Sequence, residues 1–357
     1  LEYTFPLEAR FADPAFARPV WADLVDGLLR HGTTTASYFA TIDVAATTAL
    51  AEAALAAGQR AFVGRVAMDH PEGSPAWYRD ETASAGVAAS ARSIDAIRTL
   101  DAGRGLVAPI VTPRFTPACT DELLRGLGEL AATTGTRIQT HASESDWAHG
   151  HALARFGTTD PTALDGFGLL REHTILAHAD HVTDADAARI RDRGAGIAHC
   201  PLSNAYFANA VLPVRHLLER GVRIGLGTDV AGGASPSLLR QVHEAVTVSR
   251  LLEDGVDARR PPATRGAPGS AIDATLAFWL ATRGGASVLG IPVGLLAPGH
   301  RFDAMLIDTG SRRGSLRVWP EVDDAARTFE KIVRGATPTD IVGVWVDGRR
   351  VVDGPPS

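Results

Sequence analysis

Seven times before residue 240, a short apolar run is followed by a longer segment that reads as a helix. The runs cover residues 33–39, 61–67, 105–111, 136–142, 174–179, 195–200 and 222–229. Most are nearly continuously apolar, as strands covered on both faces of a parallel sheet should be. Residues 45–57 and 84–100 are Ala-rich with few breakers, and 121–133 and 184–193 repeat apolar residues at helical spacing. Gly58, Gly135 and Gly194 follow as stop signals. Seven parallel strands are one short of a closed eight-stranded barrel; an open seven-stranded sheet is the alternative.

The pattern changes after residue 240. Residues 240–290 read as helical, with an exposed Pro/Arg/Gly-rich loop at 254–269. A turn at 296–299, a strand at 303–308, and a hairpin of 342–346 and 351–352 around Asp347-Gly348 suggest a small β unit. The expected organisation is therefore a barrel domain over residues 1–290 and part of a small β domain over 291–357. A chain of 357 residues fits one α/β barrel with an appendage.

A formal charge of −6 with no basic run excludes a nucleic-acid or membrane-surface partner held by clustered Lys and Arg. No stretch of 18 apolar residues is present, so no transmembrane helix is expected. Cys119 and Cys200 lie far apart, which points to free thiols in a reducing compartment, the cytoplasm. The chain opens without a secretory signal and without Met, which allows a natural start further upstream.

Three polar residues stand at the C-terminal ends of predicted strands: His141, His178 and Asp229. In a parallel barrel all strand C-termini open on one face, so these side chains can converge. Two imidazoles and a carboxylate suit zinc or a similar divalent ion. Glu144, three residues beyond His141, is placed to move a proton without ligating. Taken singly, each signal is weak, since a lone strand-end His is commonly structural and a strand-end Asp commonly caps a helix. Their recurrence at three run ends makes the pattern. His199 ends a further run on the same rim and is a candidate for a supporting or substrate role. Arg114 and Phe115, just past the third run, can hydrogen-bond and pack a planar heterocycle; a surface loop is the alternative. Residues 227–233 are Gly-rich but lack the Lys and the spacing of a phosphate loop.

At these residues the sequence resembles the amidohydrolase superfamily and, within it, the guanine deaminases, essentially end to end. The resemblance rests on Tyr3-Thr-Phe-Pro6, His31-Gly-Thr-Thr-Thr-Ala-Ser-Tyr-Phe-Ala-Thr-Ile42, Gly58-Gln-Arg-Ala-Phe-Val-Gly-Arg65, Val111-Thr-Pro-Arg-Phe115, Ile197-Ala-His-Cys-Pro201 and Gly225-Leu-Gly-Thr-Asp-Val-Ala-Gly-Gly233. It implies one zinc ion per subunit held by His141, His178 and Asp229, with Arg114 and Phe115 contacting guanine. It also implies hydrolysis of guanine to xanthine and ammonia, in which Asp229 takes a proton from the attacking water and Glu144 protonates the ring. The substrate then lies against His141, Glu144 and Asp229 as well, and the assembly is a cytoplasmic homodimer.

The superfamily's His-x-His pair at the end of its first strand has no counterpart here, nor has the Gln that follows it in guanine deaminases. His149-Gly-His151 falls in the wrong place. The implied fold is a (β/α)8 TIM-barrel-like amidohydrolase fold with its first strand missing, plus the C-terminal part of a small β-sandwich domain. The natural protein is then expected to begin upstream of Leu1, and the 357 residues alone to hold zinc poorly and turn over little. The competing readings are an amidohydrolase for a related ring (8-oxoguanine or triazine type) and a non-catalytic binding or scaffold homologue.

Overall fold

The computed structural model describes residues 3–208, 210–310 and 314–354. All seven runs form parallel strands: β1 (Thr35–Phe39), β2 (Arg60–Gly64), β4 (Val107–Pro113), β5 (Arg137–Ala142), β6 (Ile175–His178), β7 (Gly196–His199) and β8 (Arg223–Leu226). They pair in the order β1-β2-β4-β5-β6-β7-β8, and the two-residue β3 (Val66–Ala67) pairs with β4. The second run is thus broken at Arg65, whose buried guanidinium is turned onto Asp80. The expectation that Asp229 ends the seventh run also shifts: β8 ends at Leu226, and Asp229 lies in the turn beyond it.

The helices start and stop where local chemistry directs. Asp43, Thr82, Thr120 and Ser145 each accept a first-turn N–H from Ala46, Ala85, Leu123 and Ala148. Gly58 and Gly135 close their helices in the left-handed conformation. Leu127, Leu164, Leu176 and Ile190 are fully buried in the layer between the β5–β8 strands and their helices.

Ser37 on β1 hydrogen-bonds Gln139 on β5 at 2.6 Å, and the Gln139 amide donates to Tyr38 O at 2.8 Å and Thr112 Oγ1 at 3.1 Å. In a flat sheet β1 and β5 would stand three strand spacings apart, roughly 14 Å. The sheet is therefore curled into a TIM-barrel-like fold, and the open-sheet alternative fails. Among the described residues β1 pairs only with β2, and β8 only with β7.

A second, antiparallel sheet has the order β11-β10-β9, from β9 (Ala304–Ile307), β10 (Ile341–Val346) and β11 (Arg349–Asp353). A buried ion pair between Arg60 and Asp303 joins its leading edge to β2. Residues 291–357 are not all β: Ala325–Gly335 forms a helix. Phe329 packs edge-on against Phe278 at 5.3 Å and Val333 is fully buried, one apolar face at i and i+4 against the barrel helices. Of this stretch, 311–313 and 355–357 lie outside the described residues, as do 1, 2 and 209 of the stretch 1–290.

Candidate active site

His141 is the fifth residue of β5. Its Nδ1 donates to Arg114 O at 2.7 Å, while its backbone N–H donates to the same oxygen at 3.1 Å. Phe39, ending β1, packs on the ring at 4.4 Å. His178 ends β6, and its Nδ1 lies 2.8 Å from Asn204 Oδ1. With Nδ1 engaged in both rings, Nε2 carries the free lone pair in each. The two rings stack at 5.5 Å with planes 15° apart. Burial pushes the His141 pKa down and the nearby His178 adds to this, so the neutral, ligating form is favoured.

Asp229 completes the group. Its Oδ2 accepts from Ser203 Oγ at 2.5 Å. One ligand atom each from His141, His178 and Asp229 lies within 4.8 Å of the others. These donors come from β5, β6 and the turn after β8, strands up to three places apart in the sheet, brought together by its curl. The glycines after Asp229 have a steric reason. A Cβ at Gly232 would stand 2.7 Å from Asp229 Oδ2, and one at Gly233 only 2.0 Å from Thr228 O.

Glu144 Oε1 lies 3.7 Å from His178 Nε2, facing the shared space. Its loop is held by Asp160, which accepts from Ser143 N at 2.8 Å and Thr116 Oγ1 at 2.6 Å; burial pushes the Asp160 pKa up. Ser143, His178, Ala179 and Asp229 all have left-handed φ, between 45° and 70°. Each such non-glycine residue costs about 1–3 kcal/mol and persists because the surrounding packing over-determines it.

His199 ends β7, fully buried, and neither ring nitrogen has a hydrogen-bond partner among the described residues. Burial, with the His178 ring close by, lowers its pKa to about 3, so it is neutral. It is not among the converging ligand atoms. Arg114 is already engaged: Nη1 and Nη2 meet Glu8 at 2.7 and 2.8 Å, and the guanidinium lies 4.7 Å over Phe5. Phe115 is half-buried, 6.1 Å from Trp147. Sequence reasoning missed Glu8, Asp160, Ser203 and Asn204. The last two follow shortly after the segment Ile197–Pro201, where only their position after a strand end marks them.

A curled parallel sheet with two imidazoles and a carboxylate at its C-terminal rim defines a metal-dependent hydrolase barrel, and the chain belongs to the amidohydrolase family, whose profile matches residues 2–351. Its relatives within that family include guanine deaminases. It is 38% identical over 354 residues to the probable guanine deaminase of Schizosaccharomyces pombe, covering 98% of this chain and 65% of that protein. It is also 38% identical to the guanine deaminase of Dictyostelium discoideum, covering 98% and 75%. The chain thus spans about two thirds to three quarters of these relatives' length. The guanine deaminase of C. acetobutylicum, solved with guanine in its active site, superposes with a TM-score of 0.84 at 27% identity, covering 98% of this chain and 79% of that one. Among the described residues no helix is long and apolar enough to cross a membrane.

The family is metal-dependent, and the donor set suits a divalent ion. Both histidines have Nδ1 tied, so each offers Nε2, and Asp229 has Oδ1 free of the Ser203 bond.

Proposed function

We propose that this chain is a zinc-dependent guanine deaminase that hydrolyses guanine to xanthine and ammonia. The observation that carries the reading is the convergence of His141, His178 and Asp229, next to Glu144 and on the same rim as Arg114 and Phe115. Support also comes from the two guanine deaminases at 38% identity.

His141, His178 and Asp229 would hold the ion, which when bound makes a water acidic enough to attack a ring carbon at neutral pH. Asp229 then accepts the proton released as the water oxygen bonds to C2. Glu144 donates a proton to the ring nitrogen and is re-protonated by the second hydrogen of the water as the C2 carbonyl forms, and the bond from C2 to the exocyclic amino nitrogen breaks as that nitrogen takes the proton held by Asp229 and leaves as ammonia. Arg114 donates hydrogen bonds to the edge of the ring and Phe115 packs its face, fixing C2 over the reacting water. Residues 1–290 form the catalytic barrel in this reading, and 291–357 belong to a supporting β domain. The cytoplasmic homodimer implied by the resemblance is part of the same proposal.

The test is a substrate panel. The protein, expressed at its natural length and loaded with zinc, is given guanine, 8-oxoguanine, adenine and a triazine, and xanthine and ammonia are measured. Guanine is expected to be the preferred substrate. If guanine is untouched while another ring is deaminated, the substrate assignment is wrong. Binding of guanine with no product points to the non-catalytic homologue.

A further inference from the structure

β7 supplies no ligand atom to the metal group, yet it lies between β6 and β8, which lead to two of the three. The turn that follows β7 begins with Pro201, and its backbone is fixed on both sides. Asn204 N donates to Cys200 O at 2.9 Å, and Leu202 N donates to Gln241 Oε1 at 3.3 Å. Ser203 and Asn204 are adjacent here, and both are buried to 1% exposure. Successive residues on a helical turn point about 100° apart, so one turn can serve both flanking strands. Ser203 reaches Asp229 beyond β8, and Asn204 reaches His178 on β6.

The orientation of the Asn204 amide follows from its other contact. Its Nδ2 donates to Asp180 Oδ1 at 2.6 Å, which turns Oδ1 toward His178 Nδ1 at 2.8 Å. A carbonyl oxygen can only accept, so His178 Nδ1 must carry the proton and Nε2 the lone pair. Ser203 fills Oδ2 of Asp229 and leaves Oδ1 free of that bond, in a carboxylate with one oxygen within 4.8 Å of the His141 and His178 ligand atoms.

We propose that Ser203 and Asn204 are positioning residues for the metal centre, a single clamp that fixes the His178 tautomer and the Asp229 carboxylate from the strand between them. The clamp rests on the reading of His141, His178 and Asp229 as metal ligands. Buried polar groups that merely satisfied one another would have no bearing on metal affinity. A clamp aimed at ligand atoms sets it, because ligand orientation and tautomer are established before the ion arrives.

The experiment measures zinc affinity of the metal-stripped protein at its natural length, by competition with a chromophoric chelator, for the parent, Asn204→Leu, Ser203→Ala and Ser203→Thr. Nitrogen-15 spectra of the histidine rings are recorded on the zinc-free forms. Asn204→Leu and Ser203→Ala are each expected to weaken zinc binding by roughly 10- to 100-fold, and Ser203→Thr, which keeps the hydroxyl, to restore most of it. The parent is expected to show His178 protonated at Nδ1, and Asn204→Leu a mixture of tautomers. Folded variants with parental zinc affinity would overturn the clamp, as would an Nε2-protonated His178 in the parent. If Asn204→Leu fails to fold, the Ser203 pair decides alone, with equal affinity of its Ala and Thr forms counting against the proposal. Failure of the parent itself to bind zinc sinks the metal-centre reading, and is told apart because the loss precedes any substitution.

Discussion

The two ends of the same parallel strands are built to opposite rules. At the N-terminal rim, Asp101 accepts from the backbone N–H groups of Gly105, Leu106 and Val107 at 2.7, 3.0 and 2.9 Å, leading the chain into β4. His173, before β6, bonds Val288 O through Nδ1 at 3.3 Å and is part-exposed beside Glu172. Both of these side chains are used in holding the chain. At the C-terminal rim, polar atoms have capacity to spare: the Nε2 atoms of half-buried His141 and buried His178, one oxygen of half-buried Asp229, and both nitrogens of buried His199. Of the seven described non-glycine residues with left-handed φ, four are Ser143, His178, Ala179 and Asp229 at that rim. In a barrel of this kind one rim secures the fold and the other stores strain and unused donors for chemistry.

Substitutions at the two rims test this contrast. The largest effect is expected for Glu144→Gln, which should lower turnover by about 100-fold or more with zinc content unchanged, since general acid–base catalysis is commonly worth that much. Metal analysis beside steady-state rates checks it, and parallel loss of zinc would assign Glu144 to ligation instead. Arg114→Ala should raise KM for guanine by about 10- to 100-fold, the cost of losing charge-assisted hydrogen bonds worth about 1.5–3 kcal/mol. If kcat alone falls, Arg114 acts on the reaction rather than on binding.

At the other rim, Asp101→Asn should leave kcat unaltered and destabilise the fold by about 1–2 kcal/mol at pH 7. Burial pushes the Asp101 pKa up, but the N–H groups of Val107, Gly105 and Leu106, with Arg104 nearby, outweigh it and hold the carboxyl below its ordinary value. The unfolded chain therefore binds the proton first as pH drops. The stability owed to the charge is complete above about pH 4 and is lost as pH falls through the native pKa. Denaturant titrations across pH 3–7 should show parent and variant converging at the acid end. The smallest effect belongs to His173→Ala, within about 0.5 kcal/mol in stability and with kcat unaltered. A large loss of turnover there would erase the distinction between the rims.

The strands and most helices were legible because burial leaves a pattern in sequence: 105–111 is a continuous apolar run, and the helix from Val44 to Ala57 begins after Asp43 and ends at Gly58. The candidate ligands were legible because His and Asp side chains recur at the C-terminal ends of successive predicted strands. Glu8 and Asn204 were not, since their partners lie 106 and 26 residues away and obey no period. The helix Ala325–Gly335 carries its apolar face openly in Phe329 and Val333, but it sits in a stretch read for hairpins alone. Asp229 was placed at a strand end by hydropathy, although its left-handed backbone requires a turn that apolar character does not report.

The bidentate Glu8–Arg114 pair has a consequence for what the mouth admits. A bare guanidinium in a cleft attracts any anion, and nucleotides bring phosphates that would dock there first. Here the charge is balanced before a visitor arrives. In the proposed reading, the remaining N–H groups of Arg114 would read lone pairs and outline rather than net charge, and the doorway would favour an uncharged free base over its phosphorylated kin.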